Sequence, residues 1–88
     1  MEEKWTNEML FIQLIMQNHQ MAMMSLGQIE NPVAGKVEKN VEFAKLSIDT
    51  LDMIKEKTKG NLSEYEEKFL DETLREVKLA YVTETKKN

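Results

Sequence analysis

Between Met9 and Ile29 the chain runs for 21 residues without a charged side chain, whereas Lys, Asp and Glu are dense on either side of that stretch. Trp5, Met9, Ile12, Met16, His19, Met23 and Leu26 alternate spacings of four and three, the repeat of one helical face in register with a heptad. Phe11, Ile15, Ala22, Leu26 and Ile29 form a second apolar line beside it, and Leu10, Leu14 and Met21 a third. Only Gln13, Gln17 and Gln20 interrupt them as a narrow polar strip. The pattern predicts a helix over about residues 6–28 that is apolar nearly all round, the kind that is buried on more than one side.

The next two segments are patterned differently. Val37, Val41, Ala44, Ile48, Leu51 and Ile54 make a one-faced stripe with charges opposite, which predicts a helix over about 37–59. Lys55, Lys57 and Lys59 in its last turn suit the negative end of the helix dipole, and Gly60 follows where a left-handed cap belongs. The third segment opens with Ser63-Glu64-Tyr65-Glu66, a capping box in which Ser63 and Glu66 satisfy orphan amides reciprocally. Leu70, Leu74, Val77 and Tyr81, flanked by Phe69 and Ala80, carry a stripe over about 63–85. Glu64–Lys68 and Asp71–Arg75 are i,i+4 pairs in the better orientation. Residues 1–5 and 84–88 read as frayed tails.

Asn31-Pro32 with Gly35, and Lys59-Gly60-Asn61, punctuate the chain into these three segments, with no strand signal in any of them. Helices of 22–24 residues are about 33–36 Å long at 1.5 Å per residue, and equal lengths with short connections predict an antiparallel three-helix bundle. The fold class expected is all-α, one domain over residues 1–88, and oligomeric.

Composition narrows the function classes. Apolar residues make up 41% and charged residues 32% of the 88, a globular balance with more charge than the usual ~25%. A net charge of −4, with a single Arg and lysines interleaved with acids, lacks the clustered basic face that nucleic acid requires. The absence of cysteine excludes disulfides, thiolate metal sites and thiol catalysis. Met-Glu-Glu-Lys-Trp is not the basic lead of a secretory signal, so a cytoplasmic protein is expected. The uncharged stretch reaches the ~20 residues of a membrane span, but Gln13, Gln17, Asn18, His19, Gln20 and Gln28 would each need a partner in hydrocarbon.

Four groups invite a chemical reading. His19, Met21, Met23 and Met24 are soft-metal ligand types, yet on one helix they do not converge, and methionine is the usual filler of adaptable apolar contacts. Asp49, Asp52 and Glu56 line one ridge and have the residue types for a hard cation or acid–base work. Lys45, Lys55 and Lys59 close by make them a solvated, charge-compensated face instead, with Asp49 beside the core stripe expected to be partly buried. Gly35-Lys36 lacks the first glycine, the following Ser or Thr and the preceding strand of a phosphate loop. Lys57-Thr58-Lys59-Gly60-Asn61 is a basic turn at the start of a helix, where an anion could rest on free amides; helix capping is its plainer role. With three serines and one histidine, no nucleophilic triad assembles.

Leu26-Gly27, Ile29, Asn31-Pro32, Gly35-Lys36, Asn40, Ala44-Lys45, Ile48-Asp49-Thr50-Leu51, Met53 and Glu56 through Leu62 together resemble the small bacterial family catalogued as domain of unknown function 1844. Val77-Lys78-Leu79-Ala80-Tyr81-Val82 is similar in pattern, and the resemblance spans about Phe11 to Val82. It implies a short, bacterial, cytosolic helical domain without an assigned activity, and it transfers no catalytic or binding residue. From Gln17 to Met24 the chain departs from the small and aliphatic residues usual in that family.

The function expected is that of a non-enzymatic helical interaction module, without cofactor or metal. It pairs with itself as a homodimer or higher homo-oligomer through Met9, Leu10, Leu14, Met16, Gln17, Met21 and Met24. The two one-faced helices offer too little apolar surface to cover the first, which would leave these residues and Leu26 in water. The alternative is an adaptor whose first helix docks on a different protein or on a membrane surface, with the same anchors.

Overall fold

The computed structural model describes residues 4–30, 33, 35 and 39–86, and its helices are α1 (Asn7–Ser25), α2 (Val41–Lys57) and α3 (Glu64–Lys86). No strand is present among the described residues; Leu26 and Lys39 form one isolated antiparallel bridge. Among the described residues the fold is all-α with three helices. Ser63 at the head of α3 lies 3.1 Å from Glu8 at the head of α1, and Gln28 beyond α1 reaches Glu84 near the end of α3, so α1 and α3 run the same way. The Asn40 N–H donates to the Ser25 carbonyl at 2.7 Å, which starts α2 at the foot of α1 and sends it back.

Each helix begins and ends for a local chemical reason. Thr6 Oγ1 accepts from the Met9 N–H at 3.1 Å and Asn40 Oδ1 from the Phe43 N–H at 3.0 Å, so each caps the helix that follows. Ser63 and Glu66 make the reciprocal capping box, at 2.8 and 3.1 Å. The expected run of the first helix to Gln28 is too long. Gly27 takes φ +80°, its N–H donates to the Met24 carbonyl and the Gln28 N–H to that of Met23, closing a Schellman motif after Ser25. The second helix does not include Lys39 and starts after the Asn40 cap; Val37, the expected start, lies outside the described residues, as do Asn31, Pro32 and Lys36. It ends at Lys57 on the Thr58 cap, with Gly60 at φ +84° in the turn beyond.

The largest departure from expectation is at the carboxyl end. Glu84, read as part of a frayed tail, is buried, and helix continues to Lys86; residues 1–3, 87 and 88 of the expected tails lie outside the described residues. Glu84 Oε2 accepts from Gln28 Nε2 at 2.7 Å, and Oε1 lies 3.1 Å from Lys39 Nζ. A carboxylate so buried persists only when paired, and here two side chains from the α1–α2 connection supply the pairing. The clamp ties the last turn of α3 to the foot of the other two helices.

Ile15, Ala22, Ile48, Leu51, Ile54, Leu70, Leu74 and Val77 form the core, with Phe11, Met23, Leu62, Phe69 and Tyr81 packed at its margin. Small buried residues line the α1–α2 seam: Ala22 and Ser25 on one helix, Ala44 and Ser47 on the other. α3 lies in the groove above this pair. The molecule measures 48 × 30 × 16 Å between Cα atoms, and its least dimension is that of two helix layers at the usual 8–10 Å axial separation. Its radius of gyration of 14.4 Å exceeds the roughly 12 Å of a compact chain of this length.

Two substitutions test this packing. Leu51→Ala removes a fully buried side chain from the centre of the core and is expected to destabilise the fold by about 2–5 kcal/mol in urea titration. Glu84→Ala strips the partner from Gln28 and Lys39; it is expected to cost about 1–3 kcal/mol and to accelerate amide exchange in the last two turns of α3.

Candidate interaction surface

The buried line of α1 is the second of its three apolar lines. Ile15, Ala22 and Leu26 are fully buried, and Phe11 is half-buried beside them. Leu26, expected among the uncovered residues, is therefore core. Met9 and Met16 of the first line are 45% and 55% exposed, and Leu10, Leu14 and Met21 of the third are 49%, 42% and 37% exposed. Gln17 is exposed and Met24 half-buried. Two neighbouring helices cover one side of α1, and its apolar perimeter continues around the other.

The seven expected interface residues divide into two groups. Leu10, Leu14, Gln17, Met21 and Met24 follow one another at spacings of four and three, a continuous seam along the outward side of α1. Met9 and Met16 lie toward α3, where Met16 lines a groove with His19, Phe69, Glu72, Thr73 and Glu76. His19 faces α3, its Nε2 3.3 Å from Glu76 Oε1 and shielded from solvent without a well-directed hydrogen bond.

α2 contributes residues that its single core stripe conceals in the sequence. Phe43, Leu46 and Met53 are 39%, 58% and 48% exposed, and with Thr50 they make a second line at spacings of three and four. At about 100° per residue, Leu46 and Met53 stand at least about 100° around α2 from Asp52 and Lys55, which bond to Lys78 and Asp71 of α3. By the same measure Leu14 and Met21 stand roughly 140–160° around α1 from His19. The α1–α2 pair thus has one face under α3 and an opposite face on which, among the described residues, Leu10, Leu14, Met21, Leu46 and Met53 stand exposed. The outward side of α3 is unlike it: Lys68, Glu72 and Arg75 are exposed there, with Leu79 and Val82 among the charges.

Charge elsewhere is locally compensated. Lys45 Nζ donates to both Asp49 oxygens at 2.9 and 2.8 Å, Lys55 to Asp71 at 2.7 Å and Lys78 to Asp52 at 3.0 Å. The hydrogen bond to Asp49, with its charge, holds the Lys45 ammonium above the ordinary lysine value, and Asp71 does the same for Lys55. Asp49 is exposed rather than partly buried, because Lys45 draws it along the solvent side of α2. Asp71 pairs across to Lys55 in place of Arg75 on its own helix. Among the described residues no three His, Asp or Glu side chains gather as metal ligands.

A groove of about 500 Å³ between α2 and α3 has Leu62 and Leu70 at its base, but its Lys55 and Asp71 neutralise each other across the mouth. The turn at residues 57–61 presents little to an anion. The Asn61 N–H is bonded to the Thr58 carbonyl, the Ser63 and Glu66 N–H groups are taken by the capping box, and the acidic Glu8, Glu64, Glu66 and Glu67 cluster at these helix starts. No helix among the described residues is long and apolar enough to cross a membrane. If the carboxylate ridge of α2 is only a solvated face, Asp49→Asn leaves the melting midpoint within error of the parent in differential scanning calorimetry.

A family model described as a domain of unknown function (DUF1844) matches residues 8–84, nearly the whole chain. No curated protein and no solved structure matches it.

Proposed function

The chain belongs to the DUF1844 family, whose description assigns no activity, and we propose that it is a non-enzymatic interaction module that self-associates through the outward side of α1. The observation that carries this reading is the exposure of Met9, Leu10, Leu14, Met16 and Met21 on one helix, by 37–55% each. Covering a Leu or Met side chain contributes about 1.5–3 kcal/mol, so several together supply the driving force for association. No charge lies between Met9 and Ile29, so pairing this side removes no ion from water.

One patch on one chain is satisfied most simply by a two-fold pair. Sedimentation and light scattering at micromolar concentration are expected to give twice the chain mass. Leu14→Glu or Met21→Glu is expected to return the chain mass while keeping most of the helicity, since both side chains are partly in solvent already. A wild-type monomer that leaves its host cell bound stoichiometrically to another protein would replace this reading with that of an adaptor.

A further inference from the structure

We propose that the bare face of the α1–α2 pair is the seat of a second copy of this chain, laid back to back so that α1 packs antiparallel on α1 and α2 antiparallel on α2, with α3 outermost on both sides. The inference rests on the self-association proposed above and adds to it α2 and the direction of pairing.

Three observations select this arrangement. The first is extent. Phe43, Leu46 and Met53, 39–58% exposed, carry the apolar seam of α1 onto α2, so the face spans two helices rather than one.

The second is charge. Glu42 stands at the start of α2 and Lys57 at its end, and both are exposed beside the Leu46–Met53 line. A two-fold axis perpendicular to the helices brings Glu42 of each copy to Lys57 of the other. An axis parallel to the helices would instead set both charges over the uncharged α1.

The third is register. Gln17 lies midway along the seam from Leu10 to Met24, and Thr50 near the middle of the span from Glu42 to Lys57. The Asn40–Ser25 hydrogen bond fixes the level of α2 against α1, which sets Gln17 and Thr50 within about one helical turn of each other. A single axis therefore passes close to both. It places Gln17 on Gln17, whose amides are mutually donor and acceptor, and sets Leu14 against the second copy's Met21.

The chain has no cysteine, so Gln17→Cys introduces a lone thiol at the proposed axis. Mild oxidation of the full chain is expected to convert most of this variant to a disulfide-linked dimer, while Lys68→Cys on the outer side of α3 stays largely uncrosslinked. Leu46→Glu, at a position already 58% exposed, is expected to weaken the dimer at least tenfold by sedimentation with unchanged helicity. Glu42→Lys and Lys57→Glu are each expected to weaken it several-fold at low salt, and the double variant to recover the loss. A dimer that Leu14→Glu dissociates, but that ignores Leu46→Glu and fails to crosslink through Gln17→Cys, would overturn this arrangement and leave pairing through α1 intact. A wild-type chain that stays monomeric at 100 µM would overturn both.

Discussion

Two neighbours shield only about half the circumference of a helix, because packed axes stand 8–10 Å apart and each contact occupies one strip of side chains. α1 has apolar residues on three lines around that circumference, and its two neighbours bury one of them. The rest of the architecture follows from that mismatch. α2 and α3 close over Ile15 and Ala22, their own apolar stripes are spent on the common core, and the remaining lines of α1 stay at the surface. A third neighbour would bury them, and the chain has no further helix among its described residues to supply one.

The core that results is small, and polar contacts at the two ends of the bundle assist it. At one end Ser63 serves the α3 cap and also donates to Glu8 of α1, tying two helix starts together. At the other, Glu84 is held by Gln28 and Lys39, while the Asn40 N–H bonds to the Ser25 carbonyl. Between the ends, Lys55–Asp71 and Lys78–Asp52 register α2 against α3 at the surface. Exposed pairs of that kind add little stability; what they supply is alignment, since the partners match only when the helices run antiparallel at this offset. The buried contacts of Glu84 weigh more, because a carboxylate withdrawn from water must have its partners.

How much of this the sequence disclosed depends on how one-sided each segment is. In α2 and α3 one dominant apolar stripe faces a charged side, so the buried positions Ala44, Ile48, Leu51, Leu70, Leu74 and Val77 could be read directly. The Ser63–Glu66 box was equally plain, being a local contact between residues three apart. α1 gave no such choice. Its three lines are of similar apolarity, and only the partner helices decide that Ile15 turns inward and Met16 outward. Glu84 was illegible for a related reason: an acid near a chain end looks solvated until the residues that bury it, 45 and 56 positions away, are in place. Gly27 did carry a usable signal, since a glycine followed by polar residues marks a left-handed cap. The uncharged run on to Ile29 masked it. The second line of α2 is present in the letters as Phe43, Leu46 and Met53, but it is shorter and interrupted by Thr50, so the core stripe beside it dominates the pattern.

The placement of Gln17 bears on why the exposed seam of α1 is not uniformly aliphatic. A row of Leu and Met alone is adaptable: methionine packs against many shapes, and a wholly apolar helix face slides by a turn or accepts unrelated partners at little cost. A single amide in the middle of such a row lowers affinity yet punishes any register that leaves it unpaired, the role a lone polar residue has in coiled-coil seams. With Gln17 flanked by Leu14 and Met21, the pairing proposed above would return an identical amide to the same level, which answers both its donor and its acceptor. The same logic links association to folding. A partner that binds only the folded form raises its stability in proportion to concentration. A molecule with this small a core, and with Met9, Leu10, Leu14, Met16 and Met21 exposed on α1, would gain from that coupling on pairing. In the pair proposed above, the uncovered side of α1 would be half of a core, with Gln17 at its polar centre.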